Sequence, residues 1–283
     1  MLLSGFTDEI SSNFEEQLQA ANRLELSHIS LRGVDGQNIG DCPDATFLRR
    51  VLPMCRRYRV GVSSIGSPLG KIDLDDEAGY RAQLMMAERL CSYARELECG
   101  YVRVFSFYTR EEGPAVREAV LRRLRGFLTY FRGSGVTLLH ENEKGTFGAS
   151  IQNCLELVHA LEGEDFGLIY DPANFVQCGE DPEEAFAVLG RYARYFHIKD
   201  ADRETGRNVL CGQGDGKLPQ LLRRLRRTGY DGFLTLEPHL VAFEGLAGLE
   251  RGGGAEVIDS SRQLSPYDAF AMQLDAVKRL WRE

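Results

Sequence analysis

Short apolar runs alternate with longer amphipathic segments along the whole chain, and this alternation restricts the fold more than any other feature. Runs of this kind predict β-strands, and segments whose apolar residues recur three or four positions apart predict α-helices. Eight such pairs occur in 283 residues. The predicted strands are Leu2 to Phe6, His28 to Arg32, Val60 to Ile65, Tyr101 to Phe105, Val136 to Glu141, Gly167 to Asp171, Tyr195 to Lys199 and Phe233 to Glu237.

Eight strand-then-helix units, joined by right-handed parallel connections, favour a (β/α)8 barrel of the TIM type. A doubly wound open sheet is less favoured, because the turn Thr7-Asp8-Glu9-Ile10-Ser11 after the first strand lacks the glycine fingerprint of that fold. The sequence contains no evident linker, so we expect one domain over residues 1–283. A glycine-rich stretch, Gly245 to Gly254, predicts a long loop at about 240–264 before the last helix, on the side of the barrel where the strands end.

The charge and the cysteine content of the chain limit the classes of binding partner and the cellular compartment that we expect. Acidic residues outnumber basic ones by 42 to 34, and the formal net charge of -8 opposes binding to a polyanion such as DNA. Seven widely spaced cysteines without a CxxC pair argue against a disulfide framework and fit a reducing cytoplasm. The chain begins without a basic leader and contains no run of about 18 apolar residues. We therefore expect a cytoplasmic protein that binds neither nucleic acid nor a membrane.

Four consecutive predicted strands end at or near a residue that can ligate a hard cation, namely Glu141, Asp171, His197 and Glu237. In such a barrel the carboxyl ends of the strands face one mouth, and alternate residues point inward. Three carboxylates brought together there would repel one another unless a divalent cation lay between them. Three oxygen donors and one imidazole suit Mn²⁺ or Mg²⁺, with Co²⁺ and Fe²⁺ as further candidates. The sequence therefore predicts a divalent-cation site.

Seven short motifs, taken together with their order and spacing, resemble one known family. They are Leu31-Arg32-Gly33-Val34-Asp35-Gly36, Ser64-Ile65-Gly66-Ser67-Pro68, Arg103-Val104-Phe105-Ser106, Glu141-Asn142-Glu143, Asp171-Pro172-Ala173-Asn174, His197-Ile198-Lys199-Asp200 and Glu237-Pro238-His239. The chain resembles the xylose isomerase-like TIM barrels, and within them the sugar phosphate isomerase and epimerase group, which includes ketose 3-epimerases and inosose dehydratases.

This resemblance implies a cofactor, a reaction and a class of partner. The ketose epimerases hold Mn²⁺ with a Glu, Asp, His, Glu set that falls on Glu141, Asp171, His197 and Glu237. It further implies that Glu141 and Glu237 are the catalytic residues. One removes the proton α to the carbonyl of a ketose or keto-sugar, and the other returns it through an enediolate. The expected partner is a small carbohydrate, and the relatives lead us to expect a homo-oligomer, a dimer or a tetramer.

Two positions depart from the pattern of the epimerases. Asn174 stands three residues after Asp171, where the epimerases carry a histidine that contacts the substrate. Asparagine cannot take up a proton near neutral pH. Ser30 stands on the second strand, where many relatives have an acidic residue. The reaction therefore stays open, and a lyase of the inosose dehydratase kind is the second hypothesis. An endonuclease of the AP endonuclease type with several zinc ions, or a non-catalytic sugar-binding protein, is less favoured.

Several residues near the predicted mouth are candidates for contact with the substrate. They are Arg103, Glu143, Asn174, Lys199, Gln213 and His239. Arg103 either binds the substrate or a ligand carboxylate, or forms a buried structural ion pair. Lys199 either contacts a substrate oxygen or forms a salt bridge at the rim with Asp200 or Asp202.

The other candidates also have a simpler interpretation. Glu143 faces the substrate or caps a loop, and His239 lines the mouth or is a solvated loop residue. Gln213, in the loop Cys211-Gly212-Gln213-Gly214-Asp215-Gly216, reaches a sugar hydroxyl or belongs to a turn that needs a positive φ.

Overall fold

Every predicted apolar run forms a strand of one parallel sheet. The computed structural model describes residues 1–161, 165–249, 255–259 and 263–283. The strands are β1 (Leu2–Gly5), β2 (His28–Leu31), β3 (Gly61–Ile65), β4 (Tyr101–Val104), β5 (Thr137–Glu141), β6 (Phe166–Tyr170), β7 (Ala193–Ile198) and β8 (Phe233–Leu236). Their order is β1-β8-β7-β6-β5-β4-β3-β2, and β1 lies next to β2, so that the sheet nearly closes into a barrel. The predicted (β/α)8 barrel is confirmed.

The amphipathic segments between the strands form the outer layer. Its helices are α1 (Phe14–Arg23), α2 (residues 44–58), α3 (Glu77–Glu96), α4 (Pro114–Leu128), α5 (Ile151–Ala160), α6 (Pro172–Gln177), α7 (Pro182–Leu189), α8 (Leu218–Arg227) and α9 (Pro266–Arg282). Within α2, a π-helical turn, Phe47–Val51, separates Asp44–Thr46 from Leu52–Tyr58. Within the described ranges, no helix is both long enough and apolar enough to cross a bilayer.

Alternate residues of each strand face opposite sides of the sheet, and this parity separates the core from the site. In β7, Phe196 and Ile198 pack outward in the main hydrophobic core. Tyr195 directly precedes Phe196 and packs inside the barrel with Leu139 and Ile169. His197 has the same parity as Tyr195, so it points into the barrel one step nearer to the carboxyl end.

A layer of hydroxyl groups lies between this barrel floor and the mouth. The Tyr195 hydroxyl is 2.8 Å from Ser63 Oγ, accepts a hydrogen bond from Ser64 Oγ at 3.0 Å, and accepts one from Thr235 Oγ1 at 2.5 Å. Ser30 belongs to the same layer, because its hydroxyl lies 2.7 Å from that of Ser64. These buried polar groups satisfy one another and give the mouth a rigid base.

Two short hairpins follow β2 and β7 and were not predicted. Gly33–Val34 pairs with Gln37–Asn38, and Asp200–Ala201 pairs with Asn208–Val209, both antiparallel. Two-residue strands are too short to show an alternating pattern, which is why strand periodicity does not reveal them.

The chain between β8 and α9 is long and largely irregular, as predicted for about 240–264. Its described part contains only the 3-10 turns Leu246–Gly248 and Ala255–Val257. Residues 250–254 and 260–262 lie outside the described residues. Leu246, Val257 and Ile258 are nevertheless buried, so this loop packs against the barrel rather than projecting into solvent.

Candidate metal centre

Glu141, Asp171, His197 and Glu237 converge at the carboxyl ends of four neighbouring strands. Glu141 ends β5, His197 is the penultimate residue of β7, and Asp171 and Glu237 directly follow β6 and β8. One ligand atom from each residue lies within 4.8 Å of the other three, and all four side chains are buried. The sequence prediction that these residues meet agrees with this geometry.

His197 stands at the centre of the four. Its Nδ1 lies 3.0 Å from Glu141 Oε1, 3.2 Å from Glu237 Oε2 and 3.5 Å from Asp171 Oδ2. Burial alone would lower the pKa of His197, but the charge of Glu141 and the hydrogen bonds with all three carboxylates raise that pKa well above its ordinary value. Without a metal ion, a proton on His197 therefore supplies positive charge to the cluster.

An orphaned ring nitrogen indicates that the four residues fit a bound cation. His197 Nε2 is fully buried and has no hydrogen-bond partner among the described residues, whereas Asp171 Oδ2 is held by ion pairs with Lys199 and His197. Leaving a buried polar atom unpartnered costs about 1–3 kcal/mol. A donor set of three carboxylates and one imidazole, with no thiolate, suits Mn²⁺, Mg²⁺, Co²⁺ or Fe²⁺. These residues can hold one divalent ion.

Each carboxylate of the cluster also contacts at least one buried cationic side chain. Arg103 Nη1 lies 2.9 Å from Glu141 Oε2, Arg32 Nη1 lies 2.7 Å from Glu237 Oε1, and Lys199 Nζ lies 3.0 Å from Asp171 Oδ2. Burial raises the pKa of Glu141, but His197 and Arg103 outweigh it and lower that pKa to about 2. The pKa of Glu237 is likewise well below its usual range, because Lys199 and His197 outweigh burial.

The sequence alternatives for Arg103 and Lys199 are now distinguished geometrically. Arg103 forms a buried ion pair, and its partner is Glu141, a member of the cluster; its other N–H groups donate to the carbonyls of Gly66 and Ser67. Lys199 points into the cluster instead of pairing at the rim.

Asp200 points away from the cluster because it follows Lys199 with the opposite parity. Its carboxylate accepts backbone N–H groups from Ala201, Gly212, Gly214 and Gly216 at 2.8–3.0 Å. The glycine-rich loop is therefore folded around Asp200.

Gln213 is exposed in this loop, so the prediction that it contacts the substrate gains no support from the geometry. The observed role of the loop is to surround the Asp200 carboxylate, and its glycines allow the backbone to come close to that group.

Substituting Gly214 by alanine is expected to lower the free energy of unfolding by about 1–3 kcal/mol. A Cβ at this position would lie 2.5 Å from Asp200 Oδ1 and 2.6 Å from the Ala201 carbonyl oxygen. Gly100→Ala is the matched control, because nothing lies within 4 Å of its added Cβ. Urea unfolding should show a lower free energy of unfolding for Gly214→Ala and an unchanged one for Gly100→Ala. Equal stability of the two variants would contradict the tight loop.

Asn174 lies next to the cluster. Its amide donates to the Asn142 carbonyl at 2.8 Å and lies 3.5 Å from Glu141 Oε1. Asn142 in turn braces the backbone of Asp171 in both directions, at 2.9 and 3.1 Å. The two asparagines thus tie the end of β5 to the end of β6.

Glu143 forms an ion pair with Lys71, which sequence analysis missed. Lys71 Nζ lies 2.8 Å from Glu143 Oε2 and donates to the Leu249 carbonyl, so the pair links the β5 end to the loop after β8. Glu143 and Lys144 also line a groove of about 930 Å³ on the same face of the barrel. No periodic pattern signals Lys71, because it lies in an irregular loop.

His239 is buried, not solvated. Its backbone N–H donates to Glu9 Oε2 at 2.9 Å, and its ring Nε2 lies 3.4 Å from Glu9 Oε1 and 3.6 Å from Glu237 Oε1. Burial lowers the pKa of His239 well below its ordinary value, so the ring is neutral. Glu9 was also missed, although it stands just after the first strand, where a polar residue faces the mouth.

The loop after β8 covers the cluster. The Phe243 ring lies 5.5 Å from the His239 ring, and Ser12 Oγ donates to Glu244 Oε2 at 2.6 Å. Together with the contact between Lys71 and Leu249, these interactions fasten the loop on two sides.

The chain belongs to the xylose isomerase-like TIM barrel family, whose model matches residues 18–252. This confirms the resemblance at the level of the family. Fructoselysine 3-epimerase from Escherichia coli O157:H7 is a relative with 25% identity over 236 residues, which cover 79% of this chain and 84% of the relative.

Two solved structures share the fold over nearly the whole chain. A D-allulose 3-epimerase from Methylomonas sp. has a TM-score of 0.75 and 14% identity, and covers 99% of this chain and 98% of its own. The IolI protein, solved with a binding zinc atom, has the same TM-score, identity and coverage. At these identities the likeness establishes the fold and not the activity.

Proposed function

We propose that this protein is a divalent-metal-dependent isomerase or epimerase that acts on a ketose or keto-sugar. The observation that carries the proposal is the buried convergence of Glu141, Asp171, His197 and Glu237. Epimerases among the relatives support a small carbohydrate as the substrate. We expect Mn²⁺ as the bound cation. The IolI protein, which shares this fold, was solved with a binding zinc atom, and this supports a divalent ion at the site.

The two glutamates are the proposed proton-transfer groups, and their contacts are symmetrical. Each has one oxygen beside His197 and its other oxygen on an arginine, Arg103 for Glu141 and Arg32 for Glu237. β6 and β7 separate the strands that carry them, so they enter the cluster from different directions. The arginines hold both carboxylates in fixed orientations. The mechanism requires this, because one carboxylate removes a proton from one face of a carbon and the other returns a proton to the opposite face.

The other candidates complete the proposed pocket. When bound, the cation supplies positive charge to stabilise the oxyanion that develops as the α-proton leaves. Lys199 and Arg103 place further positive charge beside the same carboxylates. Asn174, Glu143 and His239 are proposed to hydrogen-bond substrate hydroxyl groups. The covering loop excludes water from the enediolate.

Proton exchange tests the reaction class. The Mn²⁺-loaded protein, incubated with a panel of ketoses in deuterated water, should place deuterium on the carbon α to the carbonyl, and nuclear magnetic resonance should show the epimer or the isomer. No exchange with any ketose or keto-sugar of the panel would overturn the proposal.

A dehydratase is the second candidate, and Asn174 is the observation that favours it. The side chain at this position lies against Glu141 and cannot serve as a proton donor or acceptor near neutral pH. Deuterium exchange accompanied by loss of water, with an enone absorbance during turnover, would select the dehydratase over the epimerase.

Replacing Lys199 with methionine is expected to tighten Mn²⁺ binding by about tenfold or more. The Lys199 ammonium lies 3.0 and 3.4 Å from Asp171 Oδ2 and Glu237 Oε2, two oxygens that face the proposed ion. Removing a like charge at about 4 Å from a cation removes a repulsion of a few kcal/mol at an effective dielectric constant near 20. Isothermal titration calorimetry measures the affinity.

Lys71→Met is the matched control for this test. It removes the same charge, but the Lys71 ammonium pairs with Glu143, outside the proposed ligand set. We expect a change of no more than about threefold at physiological salt because screening weakens longer-range interactions. Equal effects of the two substitutions, or weaker binding by Lys199→Met, would contradict direct competition between the ammonium and the cation.

A further inference from the structure

Beside the first cluster lies a second group of ligand atoms, and one of its members, Glu9, has no role in the proposed reaction. Glu9 ends the 3-10 turn Thr7–Glu9 after β1, and His239 stands two residues after Glu237. One atom from each of Glu9, Glu237 and His239 lies within 4.8 Å of the other two, and all three side chains are buried. The group sits on the β1 side of Glu237, whereas the first cluster sits on the β7 side.

Unpartnered atoms face each other in this second group. Glu9 Oε1 and His239 Nε2 are fully buried without a hydrogen-bond partner in the described ranges, and they lie 3.4 Å apart. Glu9 is 5% exposed and His239 2% exposed, so bulk water does not satisfy them. Buried polar atoms of native proteins are nearly always paired, and several orphans in one place indicate a missing ligand.

The spacing of the donor atoms identifies the kind of ligand. His239 Nε2 lies 3.4 Å from Glu9 Oε1 and 3.6 Å from Glu237 Oε1. Oxygen and nitrogen donors placed about 2.0–2.2 Å from a tetrahedral ion are separated by about 3.3–3.6 Å. The contacts are too long and too poorly aligned for hydrogen bonds, but they match the separation of ligands around one metal ion.

We propose that Glu9, Glu237 and His239 form a second divalent-cation site, with Glu237 bridging the two ions. Glu237 Oε2 faces His197 of the first cluster at 3.2 Å, and Glu237 Oε1 faces His239. Two carboxylates and one imidazole, with an open position for substrate or water, suit Zn²⁺ or Mn²⁺. The site goes beyond the proposed function, adds Glu9 to it, and shares Glu237 and His239 with it.

Arg32 is compatible with this second ion as a neighbour of its ligands. Arg32 Nη1 donates to Glu237 Oε1, and Nη2 lies 3.7 Å from Glu9 Oε1. A carboxylate oxygen has two lone pairs, so Oε1 can accept from Arg32 and still ligate an ion. Asp8 binds Arg32 with both oxygens, at 2.8 and 3.1 Å, and offsets its charge.

The charges of the surrounding side chains determine which of the two divalent ions binds more tightly. Counted as ionised, five carboxylates face three cationic side chains across both groups. They are Asp8, Glu9, Glu141, Asp171 and Glu237, with Arg32, Arg103 and Lys199. One divalent ion neutralises the excess of two negative charges, and a second ion leaves the region positive. The second ion therefore binds more weakly than the first, by about tenfold or more.

Manganese counting tests the site without any substrate. Calorimetry and elemental analysis of the wild-type protein with excess Mn²⁺ should give two ions per chain, in a tight and a weaker step. Electron paramagnetic resonance should show a spin-coupled pair, and anomalous diffraction from crystals soaked in Mn²⁺ should show two peaks about 3.5–4 Å apart.

The variants separate this site from the first one. Glu9→Gln, which keeps the size of the side chain, and His239→Ala should each leave one tightly bound, uncoupled ion. Asp171→Asn should weaken the tight step and keep the ion at Glu9 and His239. The exposed His159→Ala should keep both ions.

Each other outcome overturns the inference. One uncoupled ion per wild-type chain that Asp171→Asn removes would leave the proposed function standing and refute the second site. Two ions that persist in both Glu9→Gln and His239→Ala would place the second ion elsewhere. No bound Mn²⁺ at all would refute the second site and the metal dependence of the proposed function together.

Discussion

Replacing Glu141 or Glu237 with glutamine is expected to lower the rate of α-proton exchange by about 10²–10⁴-fold. Glutamine keeps the shape of the side chain, but it cannot take up the proton. The rate of deuterium incorporation into the ketose, measured with Mn²⁺ at saturation, reports this step directly. Glu96→Gln, an exposed glutamate on α3, is the control and should keep the wild-type rate.

Metal loss has to be distinguished from loss of the base, because both glutamates also face the proposed ion. Each variant is therefore assayed over a range of Mn²⁺ concentrations, with the bound metal counted. A rate that recovers when the metal site is filled would assign the glutamate to metal binding alone. A rate above about one tenth of the wild-type value in both fully loaded variants would refute the two-base mechanism.

The arginine contacts sharpen this expectation. Glu141 Oε2 and Glu237 Oε1 each accept a hydrogen bond from a buried arginine. A glutamine that turns its amide nitrogen toward the arginine would place two donors against each other, so the amide oxygen will keep that position. The nitrogen then faces His197 and the substrate. The substitution thus puts a donor where the mechanism needs an acceptor.

Much of this site can be predicted from sequence because parity and strand ends constrain it. Glu141 ends a strand, Asp171 and Glu237 directly follow apolar runs, and His197 lies inside one with inward parity. Once eight runs predict a barrel, the convergence of these side chains follows from the geometry of parallel strands.

Arg32 carries the same signal. It follows the apolar run of β2 and points inward, just as Glu237 follows β8, and the two side chains form an ion pair. The hairpin that comes next also has a recognisable signal. Asp35-Gly36 occupies the turn with φ values of 49° and 80°, and an Asp-Gly pair is a strong indicator of a two-residue hairpin turn.

Contacts between loops could not be predicted in this way. Lys71 donates to the Leu249 carbonyl and pairs with Glu143, and these residues belong to three different irregular segments. Nothing in the local sequence fixes the path of such segments, because their course depends on packing over the finished barrel. The burial of Glu9 and His239 beneath the loop has the same origin.

Mn²⁺ binding is expected to tighten by about tenfold for each unit of rising pH until the pKa of His197 in the metal-free protein is passed. The surrounding carboxylates raise that pKa well above its ordinary value, so His197 carries a proton at neutral pH. A metal ion requires the neutral imidazole and therefore releases this proton. Calorimetry in two buffers with different ionisation enthalpies counts the released protons.

The other buried histidines do not contribute to this slope. Burial lowers the pKa of His140 to about 4 and that of His239 well below its ordinary value, so both are already neutral at pH 6. The exposed His159 serves as a control, and His159→Ala should leave the proton count unchanged. Metal binding without proton release between pH 6 and 7 would show that His197 is neutral in the metal-free protein.

The thermal stability of the metal-free protein should change in the opposite direction. The raised pKa of His197 stabilises the folded state fully below about pH 6.5, its unfolded value, and this contribution is lost as the pH rises through the folded pKa. The lowered pKa values of Glu141 and Glu237 stabilise the protein above about pH 4.3, and that contribution is lost on acidification. The Tm in EDTA should therefore fall as pH rises above 6.5, while the increase in Tm on adding Mn²⁺ grows. The difference between the Tm with Mn²⁺ and the Tm in EDTA should grow as the pH rises. If this difference became smaller, competition between the proton and the metal ion at His197 would be contradicted.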